Sequence, residues 1–199
     1  MKQRFQRMAC IGLIAIIFFI PSTLFAEKSE EGIGKWLQEV GVFAGYVSCG
    51  LKGQDDFQAV TTGMRFGFDL KPFTKKFGFE PKGMLELLYE PFISYISQPK
   101  DNADLGLGIM FRYSYPLTEK FYPYVEGGSG LYYMTLKTRE QGSQFNFVDQ
   151  AGGGFLFFLK ENIALNAGYR IRHVSNFSVE QPNDGIDGHV ISGGVSIYY

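Results

Sequence analysis

The feature that most constrains this chain is a two-residue alternation of apolar and polar side chains. Between positions 104 and 115 the odd positions are apolar or aromatic, and the even positions are mostly polar or small. A β-strand turns successive side chains to opposite faces, so this period predicts strands with one apolar face. The same alternation recurs at 60–68, 85–95, 125–133, 163–171 and 191–199.

Alternation and turn signals together predict eight strands. Pro91 interrupts the third and implies an edge, a bulge or a break there. The first strand is apolar on both faces, so its pattern does not say which face points inward. The expected strands lie at about 38–50, 56–70, 83–97, 103–115, 122–137, 145–159, 162–175 and 187–199.

The polar face carries charges of both signs, which favours a membrane barrel over a soluble sandwich. Opposite charges can pair inside a barrel while the apolar face meets lipid. An even strand count fits such a barrel, and eight strands leave an interior that side chains just fill. The sequence therefore predicts an all-β, eight-stranded antiparallel transmembrane β-barrel without a solute pore. The charges expected inside are Arg65, Asp69, Glu86, Glu90, Asp104, Arg112, Glu126, Arg170 and Arg172.

Both ends of the chain support export to an outer membrane. A basic start, an apolar run at 9–20 and a small residue at Ala26 are typical of a secretory signal peptide. The last strand ends on an aromatic residue, Tyr199, which resembles the C-terminal signature of outer-membrane barrels. We expect a signal peptide at 1–26, a short periplasmic segment at 27–37 and the barrel at 38–199.

Charge and cysteine content exclude several classes of function. Without the signal peptide, 16 Lys and Arg face 20 Asp and Glu, a net charge of about −4 that argues against nucleic-acid binding. Cys49 would be the single remaining cysteine, so no internal disulfide is expected. No metal-binding spacing is visible, and we expect no metal and no cofactor. The oligomeric state stays open.

The candidate chemistry lies at the outer end of the seventh strand. His173 and Ser175 are two residues apart, so a strand points both to one side, the apolar face toward lipid. A serine hydroxyl becomes a nucleophile when a histidine takes its proton, and a carboxylate orients the imidazole. Asp187, at the start of the next strand, is the first choice for that acid.

From about position 122 to 199 the chain resembles the outer-membrane lipid A 3-O-deacylase family. The resemblance rests on Pro-Tyr-Val-Glu-Gly-Gly at 123–128, Phe-Asn-Phe-Val-Asp at 145–149, His-Val-Ser-Asn at 173–176 and Gln-Pro-Asn-Asp-Gly-Ile-Asp at 181–187. The family fold, an eight-stranded barrel, agrees with the strand count. The N-terminal half matches only as a generic barrel.

The resemblance also implies roles for single residues. The family nucleophile falls on Ser175 and its base on His173. Its acid, usually Glu, falls on Asp187, which is one methylene shorter. Asn176 and Asn183 match positions near the developing oxyanion, although both residue types are also ordinary turn formers.

Two other carboxylates compete for the role of the acid. Glu180 lies in the loop between the last two strands. Asp149 places a charge on the apolar face of strand six, and antiparallel pairing would set it beside His173. We expect it to support His173 without contacting the substrate. His189 is expected to be an interfacial residue without a chemical role.

The expected reaction is hydrolysis of the 3-position acyl ester of lipid A in the outer leaflet. The cleaved position comes from the resemblance. Lipid A or lipopolysaccharide would be the substrate and the outer membrane the location. Two alternatives remain open: a structural or adhesive barrel without activity, and an outer-membrane phospholipase.

Overall fold

The computed structural model describes residues 35–52 and 56–199, in which eight antiparallel strands close into a barrel. Neighbours in the chain are neighbours in the sheet, and β1 also pairs with β8 to complete the closure. The predicted signal peptide and most of the predicted periplasmic segment lie outside the described residues. The strands are β1 Leu37–Cys49, β2 Phe57–Asp69, β3 Met84–Gln98, β4 Asn102–Ser114, β5 Phe121–Tyr133, β6 Phe145–Lys160, β7 Ile163–Ser175 and β8 Ile186–Tyr198.

The eight-stranded antiparallel barrel confirms the predicted fold class, and most strand ends differ from prediction by one residue. The exception is β5, which was expected to reach 137 and ends at Tyr133. Met134 donates its backbone N–H to Gln144 O at 2.7 Å, and its side chain is buried. The apolar residues after Tyr133 therefore turn inward at the end of the barrel. In the sequence they continue the alternation of β5, which is why the strand was predicted to be longer.

Pro91 was expected to mark an edge, a bulge or a break, and a closed barrel leaves no edge. On the β4 side the register runs straight through Pro91, which lies opposite Leu107. On the β2 side it passes from Gly63–Phe92 to Phe66–Tyr89 with no pair recorded between them. A proline has no N–H to donate to a ladder, so the break is confined to the side where that donor would be needed.

Arginines and glutamates interleave through the middle of the lumen. Glu90 accepts from Arg65 Nε at 2.6 Å and from Arg170 Nη1 at 2.7 Å, and Arg170 Nε reaches Glu126 at 2.7 Å. A second group at the inner end joins Arg112 to Glu39 and Glu86. This arrangement matches the charged interior predicted from the polar face, and the side chains fill the lumen with paired ions.

Apolar residues and loop contacts close the outer end of the barrel. Val47, Ile96, Tyr132, Val148 and Val174 belong to one buried cluster there. Above it the long connections are tied together: Asp184 donates its N–H to Glu140 O at 2.9 Å, and Gly142 donates to Pro182 O at 2.7 Å. The loop between β7 and β8 is therefore held against the connection between β5 and β6.

The opposite end carries short connections and one small helical segment. An α-helix at Lys71–Thr74, α1, continues into a 3-10 turn at Lys75–Phe77 between β2 and β3. Among the described residues, no helix is long and apolar enough to cross a membrane.

Candidate active site

His173 and Asp187 form a hydrogen-bonded pair on the outer wall of the barrel. They lie directly opposite each other in the β7–β8 register, and His173 Nδ1 is 2.6 Å from Asp187 Oδ1. Directly opposed residues have β-carbons about 5 Å apart, so a short aspartate reaches the ring. The missing methylene relative to glutamate therefore does not break the contact.

Both side chains of this pair point away from the lumen. The His173 side chain is 46% exposed and that of Asp187 is 85% exposed. Their chain neighbours Arg172, Val174 and Gly188 are buried. This is the alternation that the sequence predicted, with the imidazole outside and the guanidinium of Arg172 inside, above the ring of Tyr132 at 4.3 Å.

Ser175 is the last residue of β7 and shares the outward parity of His173. It is nevertheless only 9% exposed. Phe147 lies across from it on β6, and Phe177 packs edge-on against Phe147 with 4.7 Å between ring centroids. Within the described part of the chain no hydrogen bond joins Ser175 to His173, and Phe147 and Phe177 form an aromatic corner beside Ser175.

Asn176 and Asn183 hold the loop after Ser175 in shape. Asn176 donates its backbone N–H to Asn183 Oδ1 at 2.8 Å, and its amide Nδ2 donates to Glu180 O at 2.8 Å. Asn183 Nδ2 in turn donates to Ser178 Oγ at 3.3 Å. A primary amide nitrogen has two hydrogens, so each of these side chains keeps one N–H beyond the bonds described.

The loop contains backbone conformations that L residues seldom adopt. Phe177 and Ser178 have φ of 51° and 62°, and Gly185 has φ of 77°. Left-handed φ in a non-glycine residue costs about 1–2 kcal/mol, so the surrounding contacts must hold Phe177 in place beside Phe147. For Phe177 and Ser178 the sequence carried no signal of this conformation, whereas the Asp-Gly pair at 184–185 is a turn signal.

Gly185 packs directly against the imidazole of His173. A β-carbon at position 185 would lie 2.6 Å from His173 Cε1, closer than side chains approach each other. Glycine is therefore required here both by the backbone and by the ring. Sequence reasoning counted Gly185 as part of the 181–187 run that resembles the family and missed this role.

The two competing carboxylates occupy different places. Asp149 lies across from His173 in the β6–β7 register, as predicted, and accepts a hydrogen bond from Ser129 Oγ on β5. Glu180 is exposed in the loop, and its backbone carbonyl serves Asn176. Of the three carboxylates, Asp187 is the one bonded to His173. A polar row thus crosses four strands of the outer wall: Ser129, Asp149, His173 and Asp187.

Solved structures show the same barrel in outer-membrane proteins. The outer membrane enzyme PagL matches with 23% identity and a TM-score of 0.61, over 80% of this chain and 99% of that one. Neisserial surface protein A (NspA) matches with 14% identity and a TM-score of 0.57, over 81% and 96%. At these identities the likeness establishes the fold. No curated protein sequence is similar enough to count as a relative of this chain.

The sequence itself carries the family assignment. The model of the family described as lipid A 3-O-deacylase (PagL) matches residues 59–196, which include β3 to β7, most of β2 and β8, and every residue of the polar row. The match covers well over half of the chain. The chain therefore belongs to the lipid A 3-O-deacylase (PagL) family, and it is an outer-membrane hydrolase that removes the 3-O-acyl chain of lipid A.

Proposed function

We propose that Ser175, His173 and Asp187 act as a nucleophile, base and acid in this deacylation. The observation that carries the proposal is the 2.6 Å contact between His173 Nδ1 and Asp187 Oδ1. With Nδ1–H donated to the carboxylate, the lone pair of Nε2 is left to accept a proton, which is the tautomer that a serine esterase needs.

The reaction would proceed in two steps, acylation of Ser175 and hydrolysis of the acyl-serine. Nε2 of His173 takes the hydroxyl proton while Ser175 Oγ attacks the carbonyl carbon of the ester. The carbon–oxygen bond to the sugar then breaks, and the imidazolium returns the proton to the sugar oxygen. Water attacks the acyl-serine by the same proton route, and the fatty acid leaves with Ser175 restored.

We infer that substrate binding brings the Ser175 hydroxyl within hydrogen-bond distance of His173. Catalytic hydrogen bonds are often long without substrate and tighten in the complex. Both residues lie on one face of one strand, and the acyl group would enter beside Phe147, where Ser175 now lies covered. We infer that the entering chain displaces that aromatic cover and brings the hydroxyl to the imidazole.

Charge on the tetrahedral oxygen needs a hydrogen-bond donor close to Ser175. Asn176 follows the nucleophile directly, and Asn183 is bonded to its backbone N–H. Each amide keeps a second N–H that could turn toward the oxyanion, a contribution of about 3 kcal/mol in comparable sites. The bonds already made would orient these amides before the substrate arrives.

Asp149 would act through His173 and not on the substrate. It faces the imidazole from the strand opposite to Asp187, and Ser129 occupies one of its carboxylate oxygens. A second negative charge near the ring stabilises the imidazolium that forms during proton transfer. We assign Asp149 as a positioning residue for that charged state.

The place of the site suits a substrate that stays in its leaflet. His173 and Asp187 are exposed on the lipid-facing wall, close to the outer strand ends. Lipid A can therefore approach sideways, without crossing the barrel or leaving the membrane. A lumenal site would offer no such route, because ion pairs fill the lumen.

Covalent labelling tests the assignment of the nucleophile. Folded protein in detergent is treated with a fluorophosphonate and its intact mass is recorded. We expect one adduct on the wild type, none on Ser175→Ala, and full labelling of Ser97→Ala, an exposed serine at the end of β3. Labelling of Ser175→Ala at the wild-type rate would overturn the proposal.

An assay of the same purified protein on two lipids distinguishes a lipid A deacylase from a phospholipase. Lipid A and a diacyl phospholipid are offered in separate micelles, and released fatty acid is measured. Release from lipid A alone is expected. Equal release from the phospholipid would contradict the assignment of substrate and favour a phospholipase.

A further inference from the structure

A second polar pair lies on the same outer wall of the barrel, two residues further along β8 than the candidate triad. His189 Nδ1 is 2.6 Å from the hydroxyl of Tyr169, and the two rings stack with centroids 5.8 Å apart. His189 follows Asp187 by two residues on β8 and therefore points to the same side. It lies about 7 Å further from the outer strand end than Asp187 does.

The surroundings of this pair are apolar and face the bilayer. Ile171 lies across from His189 on β7, Ile191 follows it on β8, and both are exposed on the outer wall. Tyr169 is 45% exposed there. A polar group facing hydrocarbon is unfavourable unless it has a partner, and here each ring satisfies one polar atom of the other.

One proton donor is left over in this arrangement. A neutral imidazole and a phenol have one N–H and one O–H between them, and their mutual hydrogen bond uses one of these. If the phenol donates to Nδ1, the N–H at Nε2 faces outward. If Nδ1–H donates to the phenol oxygen, the O–H remains. In either tautomer the pair presents one unused donor to the lipid side of the barrel.

We propose that the Tyr169–His189 pair is a binding subsite for an oxygen atom on the acyl chains of the lipid substrate. Below its sugar head group an acylated lipid has hydrogen-bond acceptors at ester and amide carbonyls and at chain hydroxyls. A substrate held at His173 and Asp187 with its chains running down the wall passes over this pair. The inference rests on the proposed function, because it places the substrate at that site.

The subsite would act in binding and not in chemistry. The leftover donor touches the substrate away from the scissile bond, so it holds the ground state and the transition state equally. Removal of such a contact raises KM and leaves kcat nearly unchanged. An interfacial aromatic residue without this role would change neither value.

Kinetics of purified protein on lipid A in mixed micelles test the subsite. The double variant His189→Phe with Tyr169→Phe has no donor left and should raise KM about tenfold, with kcat within twofold of the wild type. Each single variant keeps one donor, the O–H of Tyr169 or the N–H of His189, but loses the contact that orients it, and should therefore raise KM less than the double variant does. His189→Gln, whose amide both donates and accepts, should recover most of the affinity. Ile93→Phe, an equivalent change on the exposed apolar wall at β3, away from the pair, is the matched control with unaltered kinetics.

A substrate without chain hydroxyls identifies the bound oxygen. If the defect of the double variant vanishes on that lipid, the partner is a hydroxyl, and if it persists, the partner is a carbonyl. A wild-type KM for the double variant would overturn the subsite. Failure of the triad has a different signature, since Ser175→Ala would then retain activity whatever happens at His189. Heat-modifiable migration on gels confirms that each variant barrel is folded.

Discussion

Gly185 lies against the imidazole of His173, and a methyl group at position 185 would occupy space that the ring now fills. A β-carbon at Gly185 would come within 2.6 Å of His173 Cε1 and 3.3 Å of Nε2. The loop that carries Asn183 and Asp184 thus also sets the position of the ring. This relationship makes the loop conformation part of the site.

Gly185→Ala should lower activity strongly while the barrel remains folded. The methyl group must displace the imidazole, and a displacement near 1 Å costs about 10²-fold in rate. The matched control is Gly78→Ala, because Gly78 has a φ of 75° and open space around it. Both variants pay a similar backbone cost, so deacylation that falls equally in both would contradict the steric account.

Asp187→Glu should remain active, and Asp187→Asn should not. Glutamate keeps the charge and needs a small shift of the ring, whereas asparagine can hold the wrong tautomer of His173. We expect kcat to fall by about 10³-fold for the asparagine variant and by less than about tenfold for glutamate. Initial rates on lipid A micelles measure both. An active Asp187→Asn variant would transfer the role of the acid to another carboxylate.

Asp149→Asn should have a smaller effect than Asp187→Asn and a different form. The asparagine still accepts a hydrogen bond from Ser129 but no longer offers a charge to the imidazolium. A fall of about tenfold in kcat with an unchanged KM is expected, together with a changed pH profile of kcat. If rate and pH profile both equal those of the wild type, Asp149 has no part in the reaction.

Arg112→Met should destabilise the barrel without touching the site. Glu86 would lose its partner inside the lumen and Glu39 would keep only the longer ion-pair contact to Arg65 at 3.8 Å, and breaking a buried ion pair costs about 3–5 kcal/mol. Urea unfolding in lipid vesicles, followed by fluorescence, measures the loss. Lys75→Met removes the exposed pair with Glu80 and should leave the unfolding midpoint nearly unchanged. Equal midpoints for the two variants would contradict the role of the lumenal network.

The sequence predicted the barrel well because one face meets lipid and the other meets charge. In β4 Met110 is the one large apolar residue on the buried face, and the alternation predicted both faces and placed both ends to within one residue. In β1 it failed because Val47 and Cys49 enter an apolar cluster while Tyr46 faces outward, so both faces are apolar. The end of β5 was misplaced for a similar reason, since Met134 continues the apolar pattern inside a loop.

The site was predictable as far as strand register reaches. Counting along antiparallel strands placed Asp149 and Asp187 on either side of His173, and the structure has both neighbours there. The aromatic corner of Phe147 and Phe177 was not predictable. Phe177 depends on a left-handed backbone conformation that contacts with β6 hold in place, and such contacts leave no periodic trace in a sequence.

The most direct test of the account is the mass of lipid A from cells that express the protein. Wild type and Ser97→Ala should shift lipid A down by the mass of one acyl chain at the 3-position, and Ser175→Ala should leave it intact while giving the same amount of folded barrel. Deacylated lipid A from the Ser175→Ala cells would contradict the account at its centre.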